Sequence, residues 1–165
     1  MKRSALTVFT AMMVFSACVR VTPFEEDMNR AGRFFKEEKY AEAVRTFTEI
    51  LDKDYELESP AHEASIYVNR GNVYQIMNRY DDALRDYNVA IKIAPDIGEP
   101  YANRGVLYDH MEQYEKAVAD YTKALELNEE LGEPPGIFRR ILYNPSNIHT
   151  IKDRLEFLEG FMKAH

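Results

Sequence analysis

The chain has 165 residues and a formal net charge of −7 at pH 7, a size typical of one domain with a short extension. Its first 17 residues hold two cations, Lys2 and Arg3, and no acid, so the remaining body carries −9. An acidic body argues against nucleic-acid binding, which requires a basic face, and is otherwise a means of solubility. The single cysteine, Cys18, excludes an intramolecular disulfide.

The N-terminus is typical of an export signal. A basic start is followed by an uncharged, apolar run over residues 5–17, which is shorter than the roughly 20 residues that span a bilayer. The run ends in Val-Phe-Ser-Ala before Cys18 and resembles a bacterial lipobox, with Phe15 where Leu is usual. We therefore predict a lipoprotein signal peptide over 1–17 and lipidation (palmitate) of Cys18. The alternative is an ordinary secretory signal, with Cys18 incidental.

Residues 18–23 are predicted to form a short tether that keeps the body close to a membrane. Val19 follows the cysteine. In the enterobacterial sorting rule an Asp at that place retains a lipoprotein at the inner membrane, so Val19 favours the outer membrane facing the periplasm. The resemblance thus implies a lipid-anchored protein of the bacterial cell envelope.

A 34-residue repeat follows. The sequence Tyr-Val-Asn-Arg-Gly-Asn-Val-Tyr over 67–74 returns as Tyr-Ala-Asn-Arg-Gly-Val-Leu-Tyr over 101–108, and matching residues continue to 90 and 124. Apolar and small residues recur at steps of three and four, which predicts paired amphipathic helices. Gly71 and Ala83 are expected to lie at facing places, where their small size lets the two helices approach closely. The helices are predicted at about 24–37, 40–54, 60–77, 80–93, 98–111 and 114–128.

These residues resemble the tetratricopeptide repeat, a unit of two antiparallel helices. Its signature is a large residue, a small one four later and an aromatic, then small–aromatic–small on the second helix. Copies lie at 64–97 and 98–131, and a weaker copy at 24–57 has Asp27 in place of the usual aromatic. The resemblance implies an all-α, right-handed solenoid of helix-turn-helix units. Such stacks bind partners more often than they catalyse.

Residues 132–165 are predicted to form a degenerate fourth unit. A short helix near 137–142 and a turn at 144–147 precede a last helix at about 147–163. Its apolar stripe comprises Ile148, Ile151, Leu155, Leu158 and Met162. We expect this helix to cap the solenoid. The alternative is that it docks on a partner, together with Phe157 and Phe161.

The sequence offers no motif for chemistry. Its four histidines are scattered and Cys18 is reserved for lipid, so no metal-ligand cluster is expected. There is no glycine-rich phosphate loop and no recognisable nucleophilic triad. We predict a protein that is not an enzyme and uses no cofactor.

The candidate site is the concave groove, which in this family is lined by the first helix of each unit. The family's groove places give a candidate set at which a protein or peptide partner binds. Asn and Gln suit such a groove because their amides both donate and accept hydrogen bonds to a peptide backbone. The alternative is an ordinary solvated face. The candidate residues are Met28, Phe35, Asn69, Asn72, Gln75, Asn103, Asp109 and His110; Val68 and Ala102 also occupy groove places.

One known use of the groove is excluded residue by residue. The tetratricopeptide clamp for acidic C-terminal tails of heat-shock chaperones requires three cations and two asparagines. Here those places hold Met28, Gly32, Asn69, Glu99 and Asn103. Only Asn69 matches, so the carboxylates of such a tail would lack their charge partners.

Arg70 and Arg104 occupy a place where the family often has Leu, and Asp86 and Asp120 follow sixteen residues later. We predict Arg–Asp pairs between helices. The function predicted from the whole chain is a lipid-anchored, non-enzymatic interaction module, an adaptor or assembly factor similar to small bacterial tetratricopeptide lipoproteins. The alternative is a soluble exported protein that binds a small molecule or cell-wall fragment.

Overall fold

The six repeat helices lie where the 34-residue pattern predicts them. A computed structural model describes residues 22–57, 59–132 and 150–164. Each repeat helix begins and ends within two residues of its predicted bounds. The signal peptide, Cys18 and the predicted short helix and turn of the fourth unit lie outside the described residues. The described residues form α1 (Pro23–Lys36), α2 (Tyr40–Asp52), α3 (Pro60–Ile76), α4 (Tyr80–Ile93), α5 (Gly98–His110), α6 (Tyr114–Leu127), a 3-10 helix (Glu129–Gly132) and α7 (Ile151–Ala164).

Successive helices pair as hairpins, α1 with α2, α3 with α4 and α5 with α6. Each hairpin turns through three residues, and the middle residue of each turn has a left-handed backbone: Glu38, Asn78 and Glu112, with φ of 59°, 57° and 58°. These three residues stand 40 and 34 apart, so the same turn recurs even where the sequence signature is weak. Residues 24–57 therefore fold as a helical hairpin like those of the two clearer copies, and the chain is an all-α solenoid.

The glycine of each clear repeat makes room for a tyrosine ring. A Cβ built on Gly71 would lie 2.7 Å from Cε1 of Tyr87, and one on Gly105 would lie 2.8 Å from Cδ1 of Tyr121. Both rings are fully or almost fully buried. The two helices approach closely as predicted, and the atoms nearest to a Cβ at Gly71 belong to the Tyr87 ring, which the sequence analysis did not name.

The first unit tolerates an acid at its aromatic place because a loop supplies the partners. Asp27 is buried, with 6% of its surface exposed. Its carboxylate accepts hydrogen bonds from Lys53 Nζ at 2.5 Å and from the Tyr55 hydroxyl, both in the loop between α2 and α3. These hydrogen bonds, the Lys53 bond foremost, lower the pKa of Asp27. The loop between α2 and α3 is thus tied to α1 through Asp27.

The predicted Arg–Asp pair of the second unit is confirmed. The Arg70 guanidinium donates to both carboxylate oxygens of Asp86, at 2.8 and 2.7 Å, and its remaining nitrogen donates to the Thr48 hydroxyl at 3.0 Å. Arg70 therefore joins α3 both to its own second helix and to the unit before it. The hydrogen bond that Arg70 donates to Asp86 raises the pKa of Arg70.

The same arrangement recurs one period later. Arg104 donates to both oxygens of Asp120 at 2.7 Å and to the Asn88 side-chain oxygen at 2.5 Å. Only 18% and 8% of the Arg104 and Asp120 side chains are exposed. The bidentate pairs fix the register within each unit, and the third hydrogen bond of each guanidinium links it to the unit before.

Helix α7 caps the solenoid as predicted, but it begins at Ile151, later than residue 147. Thr150 is its N-cap: the Asp153 backbone N–H donates to the Thr150 hydroxyl, and the Thr150 N–H donates to the Asp153 carboxylate. Ile151 and Leu158 are buried against the core formed by α5 and α6, with Leu155 packed beside them. The opposite face is polar, as an end of a solenoid requires.

Candidate functional site

A small open pocket lies between α3 and α5. Its volume is about 180 Å³, below the range of roughly 300–1,000 Å³ that is usual for small-molecule sites. Four of the predicted groove residues meet there, together with two residues of the α3–α4 turn region that the family's groove places do not include. The pocket is lined by Asn72, Gln75, Ile76, Asn78, Tyr80, Asn103, Val106 and His110.

A buried tyrosine holds two of the pocket amides. The Tyr87 hydroxyl lies 2.7 Å from the side-chain oxygen of Asn72 and 3.0 Å from that of Gln75. A hydroxyl has one proton, so it donates to one of these oxygens at a time. The amide whose oxygen accepts the Tyr87 proton therefore has its nitrogen left to donate to a bound acceptor. A peptide carbonyl is such an acceptor.

The other predicted groove residues lie outside the pocket. Asn69 is exposed one turn before Asn72 on α3. Met28 and Phe35 pack half-buried on the core of the first unit, and the Phe35 ring meets Tyr40 edge-on at 6.0 Å. The first-unit end of the groove is therefore apolar, whereas the middle is rich in amides.

Asp109 is engaged by the cap. Arg154 of α7 donates to both Asp109 carboxylate oxygens at 2.7 Å, and this hydrogen bonding raises the pKa of Arg154. The Tyr121 hydroxyl lies 3.4 Å from the same carboxylate. Asp109 is thus neutralised within the chain, and Arg154 is a residue of this region that the repeat pattern did not reveal.

Two residues at predicted groove places belong to the core. Val68 and Ala102 are each only 3% exposed. Val68 packs with Ala64, Ala90 and Ala94, and Ala102 packs in the cluster that receives α7. The expectation that they line the groove was wrong, because this place turns towards the neighbouring helices of the stack.

Within residues 22–57, 59–132 and 150–164, no three His, Cys, Asp or Glu side chains converge as a metal site would require. In the same ranges no helix combines the length and apolar character needed to cross a bilayer.

The sequence matches known repeats in the middle of the chain. The family model of the tetratricopeptide repeat matches residues 64–97 and 99–131. A segment of 64 residues is 38% identical to the DnaJ homolog subfamily C member 7 homolog of Schizosaccharomyces pombe. That match covers 39% of this chain and only 13% of the relative, so the likeness concerns the repeats rather than the whole protein.

Solved structures extend the likeness to the fold. The first tetratricopeptide domain of Spaghetti (RPAP3), bound to the HSP90 peptide SRMEEVD, is 21% identical with a TM-score of 0.62, and the match covers 85% of this chain and 93% of that one. The Sgt2 domain from Aspergillus fumigatus is 16% identical with a TM-score of 0.62, covering 86% and 81%. The predicted tetratricopeptide repeats are therefore confirmed, in an all-α solenoid that ends in a C-terminal helix.

Proposed function

We propose that this chain is a non-enzymatic interaction module that holds an extended segment of a partner protein in the groove between α3 and α5. The observation that carries the proposal is the amide pocket, where the buried Tyr87 hydroxyl lies within hydrogen-bond distance of the side chains of Asn72 and Gln75. Amide donors in a shallow groove suit backbone carbonyls. A peptide is bound by the RPAP3 domain of the same fold, which supports peptide binding here.

The charge of the groove favours a neutral or basic segment. Glu99 and Asn103 stand where an acidic-tail clamp has cations, and the cation that α7 brings to the groove, Arg154, is already paired with Asp109. An acidic ligand would therefore meet an acidic protein of net charge −7 without charge partners. We expect the peptide SRMEEVD, which RPAP3 binds, to bind this chain weakly or not at all.

A peptide-display experiment tests the proposal. A random 12-residue library is selected on the full chain, and the most enriched peptide is resynthesised with a fluorophore for anisotropy titration. Asn72→Ala/Asn103→Ala should weaken binding at least tenfold, because it removes amides from the pocket. The exposed α6 variant Thr122→Ala/Lys123→Ala is the matched control and should bind within twofold. Absence of any enriched peptide, or equal binding by both variants, would refute the groove function.

We also propose that the module is anchored to a bacterial envelope membrane through Cys18, at the outer membrane facing the periplasm. The support is sequence alone: the basic start, the short apolar run and the sole cysteine at the lipobox place. A protein carrying two or more acyl chains is held stably, whereas a single chain gives only marginal binding. The tether would leave the groove near the membrane, as an adaptor or assembly factor of envelope complexes requires.

Palmitate labelling tests the anchor. Expressed in bacteria, the full chain should incorporate labelled palmitate and sediment with membranes, and Cys18→Ala should lose both properties. The neighbouring variant Val19→Ala controls for a general disturbance of the signal and should stay labelled. If Cys18→Ala remains membrane-bound with unchanged labelling, the lipid anchor is wrong while the groove proposal stands.

The alternative is a protein that binds a small molecule or a cell-wall fragment. For such a protein we expect a deep pocket lined by groove tyrosines. Among the residues described at the pocket, Tyr80 is the one tyrosine of the lining, and the volume is about 180 Å³. A shallow, amide-lined channel of this size favours a backbone segment over a whole enclosed ligand.

A further inference from the structure

The packing of the Tyr87 ring does not require its hydroxyl. The ring fills the space beside Gly71 and is 0% exposed. In the first hairpin Phe47 takes the corresponding place, since both residues stand nine positions after the left-handed residue of their turn. Phe47 is only 4% exposed, so an aromatic ring without a hydroxyl fits this place in the stack. The hydroxyl of Tyr87 is therefore explained by what it contacts rather than by the core.

Those contacts are two amides of the groove. The Tyr87 hydroxyl lies 2.7 Å from the Asn72 side chain and 3.0 Å from the Gln75 side chain, and both side chains line the pocket. A hydroxyl has one proton and two lone pairs, so it bonds two amides at once when one offers an oxygen and the other a nitrogen. An amide group keeps its shape when oxygen and nitrogen exchange places, so half a turn of either amide gives this arrangement.

The two distances indicate which amide offers which atom. Hydrogen bonds of the O–H···O type are commonly about 2.7–2.8 Å long, and those of the N–H···O type about 2.9–3.0 Å. The 2.7 Å contact fits the Tyr87 hydroxyl donating to the Asn72 oxygen, and the 3.0 Å contact fits the Gln75 nitrogen donating to the hydroxyl oxygen. The Asn72 nitrogen and the Gln75 oxygen are then directed to the groove, one as a donor and the other as an acceptor.

One residue of an extended chain complements such a pair. In extended backbone the N–H and the C=O of a residue point to the same side of the chain, and those of the next residue point to the opposite side. Asn72 and Gln75 meet at one hydroxyl, so their free amide atoms are neighbours. A residue whose carbonyl accepts from Asn72 can therefore donate its own N–H to Gln75.

The other two repeat hairpins lack this arrangement. The first has Phe47, which has no hydroxyl, at the place of Tyr87. The third has Tyr121, whose hydroxyl lies 3.4 Å from the Asp109 carboxylate. A carboxylate has no nitrogen to offer, and this one already accepts two hydrogen bonds from Arg154. An oriented donor and acceptor are thus a property of the second unit.

We infer that Tyr87 is a positioning residue of the groove, which sets Asn72 as the donor and Gln75 as the acceptor for the carbonyl and the N–H of one residue of the bound segment. The inference rests on the proposed function and names its ligand more closely. Proline has no backbone N–H, so the residue that pairs with the two amides is not a proline. The pair contacts only the backbone, so it leaves the side chain of that residue undetermined.

An N-methyl scan of the selected peptide tests the inference. The peptide enriched on the full chain is resynthesised with one backbone nitrogen methylated at a time, and each version is titrated by anisotropy. Methylation at one position should weaken binding to the wild-type chain at least tenfold, because it removes the N–H that Gln75 accepts. Tyr87→Phe should bind the unmodified peptide about three- to tenfold more weakly, and its loss on methylation at that position should be at least threefold smaller than in wild type.

Two further variants separate positioning from packing. Gln75→Met removes the proposed acceptor without altering the buried ring, and should reduce the loss at the sensitive position to about twofold. Tyr121→Phe removes the hydroxyl that faces Asp109, outside the pocket, and should keep both the affinity within twofold and the scan of wild type. Thermal unfolding shows which variants are folded, and Gln75→Met decides the outcome where Tyr87→Phe is destabilised.

The outcomes distinguish this inference from the groove function. If Tyr87→Phe and Gln75→Met bind within twofold of wild type with an unchanged scan, the positioning role is overturned, while weakened binding by Asn72→Ala/Asn103→Ala leaves the groove function standing. A scan without a sensitive position in wild type, or one that Gln75→Met leaves unchanged although affinity falls, also overturns the role assigned to Gln75. If no peptide is enriched, both proposals fall.

Discussion

Removal of the Asp86 carboxylate tests whether the Arg–Asp pairs hold the stack together. In Asp86→Ala the Arg70 guanidinium loses two hydrogen bonds of 2.8 and 2.7 Å and stays largely enclosed, since only 15% of its side chain is exposed, against 6% for Asp86. Breaking a buried ion pair by removing one partner costs about 3–5 kcal/mol. Because the guanidinium retains some access to water, we expect the lower end, about 3 kcal/mol.

Urea denaturation followed by circular dichroism measures this loss, since the chain has no tryptophan. Lys123→Ala is the matched control, because the Lys123–Glu126 pair at 3.2 Å is exposed on both sides and should contribute about 0.5 kcal/mol or less. Adding Arg70→Leu to Asp86→Ala removes the uncompensated charge and should restore part of the stability. A loss below about 1 kcal/mol for Asp86→Ala would refute the reasoning.

Two further predictions concern packing and pH. Gly71→Ala should destabilise the chain by about 1–3 kcal/mol in the same assay, because its Cβ meets the Tyr87 ring at 2.7 Å. Gly32→Ala is the control: nothing lies within 4 Å of its Cβ, so it should stabilise the chain by up to about 1 kcal/mol. Equal effects of the two substitutions would contradict the packing argument. The lowered pKa of Asp27, due first to Lys53, contributes stability above about pH 4 that is lost as the pH falls through the folded-state pKa. Asp27→Asn should therefore flatten the acid limb of stability between pH 7 and pH 2, and an unchanged limb would contradict this role.

The repeat helices were predictable because local and global signals agree in them. Steps of three and four predict all six helices, and the repeated glycine agrees with them. The Arg70 and Asp86 pair was predictable for a similar reason: two opposite charges at corresponding places of two copies are brought together by the hairpin itself. The buried position of Val68 was not predictable, because the neighbouring helices decide whether a side chain at a groove place is exposed.

The capping role of α7 was predicted from its apolar stripe, but its contacts with the third unit were not. The segment before α7 lacks the 34-residue repeat signature, so no fixed offset aligns α7 with α5. The Arg154–Asp109 pair depends on where α7 packs, and periodicity alone could not reveal it.

The groove changes character from one unit to the next, and this gradient argues for a directional ligand. The first unit offers the apolar Met28 and Phe35, and the second offers amides oriented by Tyr87. In the first unit the place of Tyr87 is taken by Phe47, which has no hydroxyl to orient an amide, and Gly32 and Phe35 stand where Asn72 and Gln75 stand one unit later. The hydroxyl is thus present in the second unit, where these two groove side chains are amides, and absent in the first, where they are not.

The same logic separates this chain from a solved structure that shares its fold. The RPAP3 domain binds SRMEEVD. In this chain, Glu99 and Asn103 stand at two of the clamp's cation places, and Arg154 is already paired with Asp109. On the proposed function, affinity for an extended segment comes from backbone hydrogen bonds and apolar contacts, because no unpaired cation is available at the clamp places that the structure describes. Shared helices therefore position a groove, while the side chains on one face of α3 and α5 would decide which peptide it accepts.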